Sequence, residues 1–161
     1  MNEAHLHMVV NHFPIIGSIF GLGILVISLI IKNKSVQNVA YGLFILSALF
    51  GAISMATGEG AEEIAENLPD VTHQIIHEHE EMAEKLAILL YALGSLSILG
   101  AYLDNKKHPL SKFVTYVVLI ISVGTVFFAV QTGTTGGEVR HTEIRTDSTT
   151  SLPVSEGEHE D

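Results

Sequence analysis

Four uninterrupted apolar stretches, each close to 20 residues long, decide what this chain can become. They run over residues 8–31, 36–57, 82–103 and 112–131, rich in Ile, Leu, Val and Phe, with no charge in their central turns. A helix of about 20 such residues crosses the roughly 30 Å of hydrocarbon in a bilayer. Composition agrees: 47% of the 161 residues are hydrophobic and 16% are charged, against about 25% charged in an average soluble domain. The expected fold is all-α, an integral membrane up-down-up-down four-helix bundle over residues 1–135. An extracytoplasmic tail, 136–161, follows. Its Gly-, Thr-, Ser- and Glu-rich end, SEGEHED, buries too little apolar surface to fold.

The first stretch is read as a retained span. Residues 1–7 carry no Lys or Arg, whereas a cleaved signal opens on basic residues and has a shorter apolar core. Orientation follows from the basic residues, which stay on the cytoplasmic side in short loops. Lys32 and Lys34 follow the first span, Lys106 and Lys107 follow the third, and Lys112 opens the fourth. That is five of the eight basic residues on one side, while seventeen of the eighteen carboxylates, all but Asp104, lie on the other. Both termini are therefore expected outside the cytoplasm, with a bacterial inner membrane as the setting. The net charge of −10 has the wrong sign for a phosphate backbone and argues against nucleic acid as a partner.

Small residues recur at spacings that let backbones approach in lipid: Gly17 and Gly21, Ser47 and Gly51, Ser54 and Gly58. The two basic connections are short, which favours antiparallel neighbours. Residues 58–81 form the only long loop, carrying Glu59, Glu62, Glu63, Glu66 and Asp70. Thr72 or Asp70 is the expected cap of a helix that runs directly into the third span. Val71, Ile75, Ile76, His79, Met82, Ala83 and Leu86 make its apolar stripe. His73 and His77, on its polar face, are read as solvated. The third helix is thus expected to extend about three turns beyond the membrane.

The topology gathers seven of the nine histidines at one membrane surface. His5, His7 and His12 open the first span, His73, His77 and His79 precede the third, and His141 follows the fourth. The chain has no cysteine, so thiolate sites, iron–sulfur clusters and covalent haem attachment are excluded. Imidazole and carboxylate remain, the ligands of Zn, Fe and Cu, and imidazole is also an axial ligand of b-type haem. His12 stands one turn inside the first span beside Pro14, which starts or kinks the helix. An ionisable residue at that depth is a functional candidate that needs a partner. His79 lies on the apolar stripe. His141 is expected to return over the bundle mouth through a chain reversal at Gly136-Gly137, bringing Glu138 and Arg140 with it. His12, His79 and His141 are the expected cofactor or metal ligands, with Glu59, Glu62 or Glu80 as carboxylate donors or hydrogen-bonding support.

The motifs HMVVNHFP near the start, ATGEGAEE closing the second span, HEHEEMA opening the third and GGEVRH after the fourth resemble the small membrane proteins of domain-of-unknown-function family 2231. The likeness covers most of residues 1–143. It implies the four-helix fold and topology, and the family's association with respiratory cytochrome modules implies redox work.

Two function classes follow. One is a His/Glu-lined extracytoplasmic site for b-haem or a divalent metal ion, serving electron transfer or metal handling with a redox or respiratory membrane partner. The other is a cofactor-free scaffold or interaction subunit, for which a homo-oligomer is one form. No Ser, Thr or Cys stands in triad spacing, so a hydrolase is not expected.

Overall fold

The computed structural model describes residues 2–68, 70–141 and 144–145. Six α-helices account for most of them: α1 (Glu3–Val10), α2 (His12–Ile30), α3 (Lys34–Ala56), α4 (Gly58–Ala65), α5 (His73–Asn105) and α6 (Ser111–Arg140). Four segments are long and apolar enough to cross a membrane: Glu3–Ile30, which joins α1 to α2, then α3, α5 and α6. These pack side by side in the cyclic order α2, α3, α5, α6, while α1 lies against α4 and the end of α3.

Local chemistry sets the boundaries. Pro14 has no N–H to give to the carbonyl four residues earlier, and the helix breaks at Asn11, between α1 and α2. The Asn33 side chain caps α3 by accepting from the Ser35 and Val36 amides. Thr72 caps α5 through the Ile75 amide. From there α5 runs unbroken for 33 residues, as its apolar stripe predicts. The acidic connection is not a simple loop. It contains α4, whose Ala61, Ile64 and Ala65 recur at helical spacing although Gly58 and Gly60 disguise the pattern.

The polarity of the packed faces is inverted relative to a soluble protein. Ser18, Ser28, Ser47, Ser97, Ser122, Thr115 and Thr125 are buried, while Ile30, Ile88, Phe113 and Ile120 are about 70% exposed. The buried hydroxyls of Ser28, Ser122 and Thr125 are satisfied within their own helices, by carbonyls three or four residues earlier, so they add no unmet polarity to the interface. Close approach depends on missing side chains. Gly17 faces the Ser47 hydroxyl, and a Cβ at Gly21 would stand 2.5 Å from the Phe44 ring.

At the end where the lysines cluster, a polar network closes the interior. Gln37 Nε2 donates to Asp104 Oδ2 (2.6 Å) and reaches Tyr41 Oη (2.8 Å) and Thr115 Oγ1 (3.1 Å), while Lys34 Nζ donates to Asp104 Oδ1 at 2.8 Å. The start of α3 is thereby tied to the end of α5 and the start of α6.

The expected reversal at Gly136-Gly137 does not form. α6 continues through both glycines to Arg140, and no glycine among the described residues has a positive φ. The inward stripe of α6 explains this: Val118, Ser122, Thr125, Ala129 and Thr132 are buried in turn, and Gly136 is the next position at that spacing. The rest of the tail, 146–161, lies outside the described residues.

Substituting Gly21 with Val should destabilise the purified protein by at least about 1–3 kcal/mol, since the Phe44 ring has nowhere to go. Gly23→Ala, where nothing lies within 4 Å of the added Cβ, should cost little. Thermal unfolding in detergent separates the two.

Candidate functional site

The histidine-rich end is built by α1, the end of α3, the first turns of α5 and the last turns of α6. Two imidazoles are turned into it. His7, on α1, points its Nδ1 at the Ser54 carbonyl (3.0 Å) and the Thr57 hydroxyl (3.3 Å). His79, on α5, points its Nδ1 at the Thr135 hydroxyl of α6 at 3.1 Å, and the Thr132 carbonyl also faces the ring. The rings are half-buried and close enough for a charge on His7 to act on His79.

The partners settle which nitrogen carries the proton. A carbonyl only accepts, and the Thr57 hydroxyl already gives its hydrogen to the carbonyls of Ile53 and Ser54. His7 Nδ1 is therefore the donor. With the Thr135 hydroxyl donating to the Thr132 carbonyl at 3.2 Å, His79 Nδ1 is assigned as the donor to Thr135. In both neutral rings the lone pair is left on Nε2, which makes no hydrogen bond among the described residues. This is the arrangement metal-bound imidazoles adopt, with the second nitrogen donating to an oxygen that fixes tautomer and direction.

Gly136 makes room for the His79 ring: a Cβ there would stand 2.9 Å from Cε1. Two further oxygens in this part of the chain, Asn11 Oδ1 and Thr132 Oγ1, are buried without a hydrogen-bond partner. Asn11 follows His7 by one turn, and Thr132 precedes Gly136 by one turn.

His12 is placed elsewhere. It is exposed, gives its Nδ1 hydrogen to the Met8 carbonyl at 2.9 Å, and lines an outward apolar groove with Val9, Phe13, Ile16, Phe20 and Leu43. His141 is the exposed C-cap of α6. Glu59 and Glu80 are exposed, on α4 and α5 respectively. Glu80 hydrogen-bonds to Glu62, pairing α4 with α5. His73 and His77 face solvent and carboxylates, with His73 3.2 Å from Glu66 and His77 3.6 Å from Glu81. Among the described residues no group of three or more His, Cys, Asp or Glu could hold a metal ion. The site offers two imidazole donors.

His7 was within reach of sequence reasoning. Pro14, Ser18, Gly21, Leu25 and Ser28 form the buried stripe of α2. Continued backwards at the same spacing, that stripe passes through Asn11 and His7. His12 shares its face with Ile16, Ile19, Val26 and Ile30, all exposed.

Comparison of the chain with family models, with curated proteins and with solved structures returns no match.

The Glu62–Glu80 contact gives this end a pH dependence. The hydrogen bond that the protonated Glu62 carboxyl gives to Glu80, with desolvation and the like charge of Glu80 behind it, raises Glu62 above its usual range. A group raised in the folded state supports folding below its unfolded value and loses that support as pH rises through the raised value. Docking of α4 on α5 should therefore weaken as pH rises above the ordinary carboxylate range of about 4. The chain has no native cysteine, so spin labels on cysteines introduced at Glu63 and Glu78 report the spacing cleanly. Their distance distribution should broaden as pH rises, and Glu62→Gln should remove that dependence.

Proposed function

We propose that this chain is a small polytopic membrane protein, an up-down-up-down bundle with both termini extracytoplasmic. Its histidine-rich end holds a transition metal through Nε2 of His7 and His79. The observation that carries the reading is the pair of half-buried imidazoles with Nδ1 hydrogens committed to Ser54, Thr57 and Thr135. Fixing a ring this way raises the basicity of the other nitrogen and sets its direction. The lysine distribution supports the orientation. The HMVVNHFP, ATGEGAEE and GGEVRH motifs support kinship with domain-of-unknown-function family 2231.

Donor count favours b-type haem, whose iron His7 and His79 would hold. A bare zinc ion takes three or four protein ligands, and no such group is preformed. When bound, the haem would supply one-electron transfer to a membrane redox partner. The chain's own part is to orient two nitrogens and to cover them with α1 and α4. A bare copper or zinc ion is the second reading. It is favoured by the partnerless Asn11 Oδ1 and Thr132 Oγ1, which could complete a mixed nitrogen and oxygen set.

Protein purified in detergent and incubated with haemin should give a Soret band at one haem per chain. His7→Ala and His79→Ala should each weaken binding by at least about tenfold, whereas His12→Ala and His73→Ala should not. Metal analysis after loading with copper or zinc tests the second reading by the same variants. Binding of neither, or binding indifferent to His7 and His79, overturns the site and leaves the scaffold class.

A further inference from the structure

The opposite end of the molecule carries a second feature that the histidine site does not use. Lys34, Asp104, Lys107, His108, Ser111 and Lys112 line an open cleft of about 600 Å3 between the α2–α3 turn and the α5–α6 turn. Its one carboxylate is already committed. Asp104 is 6% exposed, with Oδ1 on Lys34 and Oδ2 on Gln37. Lys34 and Asp104 cancel, which leaves Lys107 and Lys112 uncompensated in the cleft. Both are exposed, and neither makes a salt bridge or side-chain hydrogen bond among the described residues.

Lys112 stands in the first turn of α6, where a helix least favours a cation, while Lys107 follows the C-cap of α5. The start of α6 has no acidic residue in its first turn and no side-chain cap, so partial positive charge from its amides adds to that of the lysines. Lys107 is further held at φ 51°, in the left-handed region that a non-glycine residue adopts at a cost. His108 adds a donor: its Nδ1 accepts the Leu110 amide at 3.2 Å, so the ring hydrogen lies on Nε2. The unpaired charges of the cleft are all positive. Beside it on α6, Leu110 and Phe113 are 54% and 67% exposed, a greasy flank next to a cationic hollow.

We propose that this cleft binds the phosphate of an anionic phospholipid, with Lys107, Lys112 and His108 on the head group and the acyl chains along Leu110 and Phe113. A free inorganic phosphate shares the head-group chemistry but has no use for the apolar flank, which is why the lipid is the occupant. Basic hollows at helix ends hold anionic head groups by this combination of charge and depth. Lys106 serves as an internal control, because its Nζ lies 5.9 Å from the centroid of the Tyr102 ring and it does not line the cleft.

The test uses the full chain in nanodiscs of phosphatidylcholine doped with phosphatidylglycerol, read by native mass spectrometry of retained lipid. Wild type should retain phosphatidylglycerol over phosphatidylcholine. The exposed double substitution Lys107→Gln/Lys112→Gln should reduce that preference by about tenfold or more, and Lys106→Gln should leave it intact. Equal loss in the Lys106 variant, or no preference in wild type, overturns the proposal. A second arm titrates inorganic phosphate into phosphatidylcholine-only nanodiscs. Saturable binding lost with Lys107 and Lys112, together with no lipid preference, assigns the cleft to a soluble anion and overturns the lipid. Unchanged thermal unfolding of the double variant confirms that a lost preference is not a lost fold.

Discussion

Everything in this molecule depends on how four long helices with apolar outer faces hold together. In lipid a leucine gains nothing by facing another helix, so association comes from close backbone contact and from hydrogen bonds. The inward stripe of α2 reads Pro14, Ser18, Gly21, Leu25, Ser28, and that of α6 reads Val118, Ser122, Thr125, Ala129, Thr132. Small and hydroxylated residues lie inside, with Ile and Phe outside. Among the large interior side chains, Tyr41, Phe44 and Leu90 fit because glycines stand opposite them: Gly21 against Phe44, Gly51 against Leu90 and Gly100 against Tyr41.

The same stripes that pack the helices also aim the chemistry at the two ends. His79, Leu86, Leu93 and Gly100 are spaced by seven along α5, and all face inward. One end of that line is an imidazole, the other abuts Tyr41 and the Asp104 network. The ends differ in kind. At the histidine end two half-buried rings rest on neutral oxygens inside a rim of carboxylates, whereas the lysine end exposes cations to the surroundings around one neutralised carboxylate.

Much of the architecture was legible from the residues, because it rests on run lengths and on periodicity. The four long apolar segments, the Thr72 cap and the unbroken α5 all follow from such patterns. The site was legible only in part. His79 was found through its stripe, but His12 was preferred to His7 because depth and the neighbouring Pro14 were weighed above helical phase. The phase decides which way a ring points, and it puts His12 with Ile16 and Ile19. Gly136-Gly137 misled for a related reason. Glycine pairs end helices in water, but here Gly136 sits on the inward stripe and is needed for the His79 ring. The helix α4 was hidden by two glycines within eight residues. What remained out of reach was the hydrogen-bonding of the rings, which depends on Thr57 and Thr135 arriving from other helices.

The length of α5 has a consequence for how the molecule sits in membranes of different thickness. Its 33 residues span about 50 Å at 1.5 Å per residue, against about 30 Å of hydrocarbon. Hydrophobic mismatch is taken up by tilting or by local deformation of lipid, and those adjustments act on the apolar middle of the helices. His7 and His79 stand on the overrun, outside the four apolar stretches, where protein oxygens rather than acyl chains set the surroundings. His7 is tied to α3 through Ser54 and Thr57, and His79 to α6 through Thr135, so a change of thickness that tilts α3 against α6 is felt as a change in the spacing of the two rings.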